Sequence, residues 1–164
     1  MVIWIIGKSG VGKTYLAEKL YKILKGLKRK VIWIDGDKFR KRFSKDLGFS
    51  VKDRLKNSKR LQLYCKKYDK KGYIVLCSLI SIFINHQKEN RKKFSNYFQI
   101  YLKSEMKTLK IRNNKNIYSK SKNVVGKDIL FPTPYKSDLI LKNKFNKNFI
   151  KNLPKIKKLI YAKL

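Results

Sequence analysis

The chain has 164 residues, 43% of them hydrophobic and 13% aromatic, enough for a sizeable core and too many for a disordered polymer. Lys and Arg number 43 against 10 Asp and Glu, a formal net charge of +33, a balance that often marks a nucleic-acid or anionic-membrane partner. The lysines are dispersed through a composition rich in Asn, Ile, Tyr and Phe, so the charge reads as background drift, not a dedicated nucleic-acid arm.

In chain order, short apolar runs alternate with longer amphipathic ones. "VIWII" (2–6) reads as a buried strand. "GKSGVGKT" (7–14) fits the phosphate-loop spacing, with Gly7, Gly12, Lys13 and Thr14 at the defining positions and Lys8, Ser9, Gly10 and Val11 between them. Glycines let successive backbone N–H groups converge on phosphate oxygens, and the following helix aims its positive end at the same place. Lys13 is expected to neutralise the β- and γ-phosphates of ATP, and the Thr14 hydroxyl to ligate Mg²⁺. A helix over 13–27 carries Leu16, Leu20, Ile23 and Leu24 at helical spacing, and "KVIWID" (30–35) reads as a second strand.

"DGD" closes that strand. In a parallel sheet this end lies beside the phosphate loop. Asp37 is the candidate for orienting the acceptor and taking its proton, and Asp35 for a structural role or a position behind the metal. A polar loop is expected next, then a helix ending at Gly72, with Asp53 suited to its first turn. "YIVLCSLI" (73–80) reads as a third strand, and the apolar run it opens, to residue 84, is too short to span a bilayer. A short helix near 86–94, a strand over 97–104 and a helix from 105 to 112 follow. The lone histidine, His86, reads as a surface or cap residue. Residues 113–136 are expected as a loop or lid, 137–143 as a last strand, and about 144–164 as a Lys-rich tail interrupted by Pro154 and ending in a short helix.

The alternation predicts one α/β domain over 1–164, a P-loop nucleoside triphosphate hydrolase-like three-layer sandwich around a central parallel sheet. Cys65 and Cys77 have neither disulfide nor metal spacing and sit in apolar patterns. With no signal-peptide pattern at the first residues, a cytoplasmic location is expected.

The block "DGDKFRKRFSKDLGFSVKDRLKNSKR" (35–60) resembles the adenylylsulfate kinase (APS kinase) family, whose pattern runs DGD-x-x-R, KDLGFS, then DR-x-x-N-x-R-R. "LISIF" (79–83), "RNNKNIYSK" (112–120) and "NVVGKDILFPTPYKSDLIL" (123–141) are similar to later family segments. The resemblance implies an ATP- and Mg²⁺-dependent kinase acting on the ribose 3′-hydroxyl of adenosine 5′-phosphosulfate. It implies that Arg40, Arg54 and Asn57 bind the acceptor's anionic groups and Phe49 stacks on its base. Ile80 and Ser81 would line the acceptor cleft, Arg112 would lie near the ATP base, and Lys115, Ile117, Tyr118 and Lys120 would belong to the lid. Ser81 also falls where a phosphoserine intermediate is sometimes assigned, although direct in-line transfer needs only positioning and charge neutralisation.

The chain departs from that pattern at Ile84, where arginine is usual, at Asn113, and at Val124, which replaces the lid phenylalanine. Losing a stacking face costs about 1–3 kcal/mol at other base-stacking sites. A second acceptor class, such as cytidine diphosphoramidate of surface-polysaccharide synthesis, therefore stays open. The expected partners are ATP and a small anionic nucleotide, with no membrane; a homodimer is compatible with the sequence. A nucleic-acid-binding P-loop protein and a drifted, inactive remnant are the further alternatives.

Overall fold

The computed structural model describes residues 1–27, 29–112 and 116–164. Five parallel strands form one sheet: β1 (Val2–Ile6), β2 (Val31–Asp35), β3 (Ile74–Leu79), β4 (Tyr97–Lys103) and β5 (Leu139–Lys142), in the order β2-β3-β1-β4-β5. β1 is central and all five of its residues are buried, which is why it reads as an unbroken apolar run instead of an alternating one.

Ile3 and Ile5 face a cluster with Leu16, Leu20 and Leu24 of α1 (Lys13–Lys25), while Val2, Trp4 and Ile6 face the opposite cluster. That second cluster takes Phe39 from α2 (Gly36–Phe43) and Leu61 and Cys65 from α3 (Val51–Lys70). Helices therefore cover both faces, as the strand–helix alternation predicts. The two cysteines are buried free thiols. No helix among the described residues is long and apolar enough to cross a membrane.

The structure differs from the sequence reading at four places. The expected polar loop after β2 is the helix α2. Its residues show no apolar period, because Phe39 alone is buried. What starts this helix is the Asp35 carboxylate, which accepts from the backbone N–H groups of Asp37 and Lys38 at 3.1 and 3.2 Å. α3 begins two residues before Asp53, because Ser50 caps it: Ser50 Oγ accepts from Asp53 N at 3.2 Å and donates to Asp53 Oδ2 at 2.8 Å.

His86 is not at the surface. It lies 5% exposed in α4 (Ile84–Lys93), with Nδ1 2.7 Å from Ser58 Oγ. Pro154 does not interrupt the tail but opens a helix. A 3₁₀ turn over Lys147–Asn152 leads into α7 (Leu153–Tyr161), and proline is tolerated in a first helical turn. Ile156 and Ile160 of α7 are fully buried in the α1 cluster. Between β4 and β5 lie α5 (Met106–Arg112) and, inside the expected lid, the one-turn α6 (Ile117–Lys120).

Candidate active site

The C-terminal ends of β1, β2 and β3 open into a cleft of about 190 Å³. The phosphate loop forms its floor. A Cβ at Gly7 would stand 2.4 Å from the Leu102 carbonyl oxygen, so only glycine fits there. Gly12 combines φ 99° with a close neighbour, the Asn143 side-chain nitrogen, which a Cβ would approach to 2.9 Å. Three carbonyls of the loop are tied down by side chains. Lys8 O accepts from Lys13 Nζ at 2.7 Å, Ser9 O from Tyr118 Oη at 2.9 Å, and Val11 O from Asn143 Nδ2 at 3.0 Å. Those ties occupy three loop carbonyls that would otherwise compete with phosphate in a cradle of backbone N–H groups.

Asp35 stands at the wall. Its Oδ2 accepts from Thr14 Oγ1 at 3.1 Å and from Ser78 Oγ at 3.2 Å, while Oδ1 caps α2. Thr14, Asp35 and Ser78 thus present an oxygen-only donor set beside the loop. That set suits Mg²⁺, which takes few protein ligands and shares the rest with phosphate and water. Among the described residues no group of three His, Cys, Asp or Glu side chains could hold a metal ion by itself.

Ser9, Gly10, Gly12, Lys13, Thr14, Asp35, Asp37, Ile80, Arg112 and Ile117 all line the cleft. Arg112 lies with its guanidinium 4.2 Å from the Phe145 ring centroid. The other expected acceptor residues form a separate group built from α2, α3 and the segment between them. Phe49 is 56% exposed. The Arg40 and Arg54 guanidinium carbons lie 4.6 and 5.4 Å from its ring centroid. Arg54 donates from Nε to Phe49 O at 3.0 Å and from Nη2 to Asn123 O at 2.9 Å, joining α3 to the lid segment. Arg40 donates to Gly48 O.

Burial holds both guanidinium groups below the ordinary arginine value, and for Arg54 the charge of Arg40 adds to the effect; Asp53 opposes it on Arg40, and Asp37 opposes it on both. Two guanidinium groups sharing one aromatic ring, with Asp37 acting on both and Asp53 on Arg40, are chemically suited to hold an anion. Arg40 Nε and Asn57 Oδ1 are buried without a protein hydrogen-bond partner.

Ser81 does not line the cleft. It is 3% exposed, and its hydroxyl lies 3.3 Å from Gln87 Nε2. Val124 is 4% exposed and belongs to the buried cluster with Leu109 and Tyr118. Lys115 and the Lys120 side chain lie outside the described residues. The sequence reading missed Ser78, Tyr15 and Leu109 in the cleft. Ser78 had a signal: a hydroxyl at the end of an apolar strand, in register with Asp35.

The family model for adenylylsulphate kinase matches residues 1–142. The chain belongs to the adenylylsulphate kinase family. Two curated relatives are each 33% identical to it. One is the cytidine diphosphoramidate kinase of Campylobacter jejuni, aligned over 155 residues, 90% of this chain and 88% of the relative. The other is the probable adenylyl-sulfate kinase of Bacillus subtilis, aligned over 153 residues, 87% of this chain and 75% of the relative. The structure of the Mycobacterium tuberculosis APS kinase in complex with AMPPNP and APS superimposes with a TM-score of 0.87 at 25% identity. It covers 98% of this chain and 96% of that one. Membership in this kinase family makes the protein a phosphotransferase, and its solved relatives share the P-loop fold described above.

Proposed function

We propose that the protein transfers the γ-phosphoryl group of ATP to the ribose 3′-hydroxyl of a small nucleotide bearing an anionic 5′ group. The observation that carries this reading is the position of Asp37. It lines the cleft with Lys13 and Thr14 and acts electrostatically on both Arg40 and Arg54. A donor cradle and an anion clamp therefore meet at one carboxylate, the arrangement that in-line transfer needs.

Lys13 and the loop N–H groups hold the donor phosphates. Arg40, Arg54 and Asn57 hold the acceptor's 5′ group, and Phe49 packs on its base. The acceptor oxygen forms a bond to the γ-phosphorus as the bond to the β–γ bridging oxygen breaks. The hydroxyl proton passes to Asp37, and ADP and the 3′-phosphorylated nucleotide leave. Mg²⁺ held by Thr14, with Asp35 behind it, would supply charge neutralisation. Lid residues, Ile117 and Tyr118 among them, close the cleft against water.

Adenosine 5′-phosphosulfate is the acceptor that the family supports. Cytidine diphosphoramidate is a second reading, favoured by the buried valine at position 124 and by the Campylobacter relative's name. The test is ATP turnover against a panel of both acceptors and other nucleoside diphosphate derivatives. Acceptor-stimulated ADP release is expected with one of them, lost by at least about 100-fold in Lys13→Ala and in Asp37→Asn. No stimulation by any acceptor, or near-normal rates in either variant, would refute the reading.

A further inference from the structure

The buried residues of α4 are His86, Gln87 and Asn90, all polar. A helix with such a buried face gains little from apolar burial, so hydrogen bonds must hold it, and each buried group needs a partner. The partners are present. Gln62 Nε2 donates to His86 O at 3.2 Å and to Asn90 Oδ1 at 2.8 Å, and Asn90 Nδ2 lies 3.4 Å from Tyr97 Oη. Together with the Ser58–His86 contact, these bonds fix α4 against α3 and β4.

Gln87 uses that fixed position to reach outward in two directions. It is fully buried. Its Nε2 donates to both the carbonyl and the hydroxyl oxygen of Ser81 at 3.3 Å, and its Oε1 accepts from Tyr135 N at 2.7 Å. Ser81 follows Ile80, which lines the cleft. Tyr135 lies on the C-terminal limb of the 113–136 lid segment, which returns to β5, and its carbonyl accepts from Gln99 Nε2 at 2.9 Å. One side-chain amide therefore fastens the loop carrying a cleft wall to the lid's returning limb.

We propose that Gln87 is a positioning residue for the acceptor side of the cleft: it sets Ile80 and the Ser81 loop relative to the lid's return limb without touching substrate. This inference rests on the kinase reading of the cleft. The ATP cradle is built from β1, α1, Tyr118 and Asn143, none of which bonds Gln87 among the contacts described, so donor binding is expected to be insensitive to it.

The test compares Gln87→Met, which keeps length and removes the hydrogen bonds, with Gln87→Glu, which keeps an acceptor for Tyr135 N–H but turns a charge toward the Ser81 carbonyl. Both are expected to raise the KM for the acceptor about tenfold while the KM for ATP stays within about twofold. Unchanged acceptor KM in Gln87→Met, or a parallel rise in both constants, would overturn the proposal. Hydrogen exchange provides a readout independent of turnover. The Tyr135 amide is expected to exchange faster in Gln87→Met than in the wild type, and equal protection would refute the tie. A wild type that turns over no acceptor refutes the kinase reading alone, and the exchange result then decides whether Gln87 holds the limb.

Discussion

Asp35 accepts four hydrogen bonds, two on each carboxylate oxygen, and they can be separated by substitution. Alanine removes them all. Loss of the helix cap costs about 1 kcal/mol. The two hydroxyl contacts, to Thr14 and Ser78, are partly open to solvent and add roughly 0.5–1 kcal/mol each. Asp35→Ala should therefore destabilise by about 2–3 kcal/mol, a fall in Tm of roughly 5–10 °C for a chain of this size. Asparagine keeps a side-chain oxygen for the cap but loses the charge at the start of α2 and one good acceptor, for a total of about 1 kcal/mol. The assay is urea denaturation at neutral pH with a thermal melt alongside. Equal losses in the two variants, or a loss below about 0.5 kcal/mol in Asp35→Ala, would refute the shared cap-and-brace role.

Ile156→Ala should cost about 2–5 kcal/mol, because the side chain is fully buried beneath α1. A shift in the denaturant midpoint worth less than about 1 kcal/mol would contradict the docking of α7. His86 gives a pH signature. Burial holds its imidazole below the ordinary value, outweighing Glu89, which acts in the opposite sense, and Lys59 and Lys93 add to the lowering. A depressed histidine contributes stability that is complete above the unfolded value, near about 6.5, and is lost as pH falls through the folded one. Since the chain has a single histidine, His86→Asn should flatten the stability profile between about pH 7.5 and 5; an unaltered slope would count against it.

Much of this was legible in the chain because each signal was local. β1 announced itself as an unbroken apolar run, and the phosphate loop stood between a readable strand and a readable helix. The alternation of "VIWII", "KVIWID" and "YIVLCSLI" with amphipathic stretches was enough for the parallel sheet. α2 was not legible, since a helix that buries only Phe39 has no periodicity to read. Its signal was Asp35 as a cap, a residue whose sequence reading was a structural role or a position behind the metal, with nothing pointing to a helix start. α4 was legible as a short helix near 86–94, but its packing was not: its buried face is polar, so His86 looked like a surface residue. The acceptor group was readable as a list of residues, but not its geometry. That Arg54 also bonds the Asn123 carbonyl depends on a contact between segments far apart in the chain.

The docking of α7 bears on how the protein is made. Ile156 and Ile160 complete the cluster that contains Ile3 and Ile5 of β1 and Leu16 and Leu20 of α1. During synthesis the first strand and the phosphate-loop helix emerge long before those two isoleucines, at about 5–20 residues per second. The sheet can pair and its opposite face can be covered in that interval, yet the face under α1 stays incompletely covered until the chain has passed Ile160. The nascent chain therefore exposes apolar surface until Ile160 has emerged, in a sequence whose strong positive charge keeps molecules apart. The lysine excess, whatever its origin, protects against self-association at the stage when the core is still open.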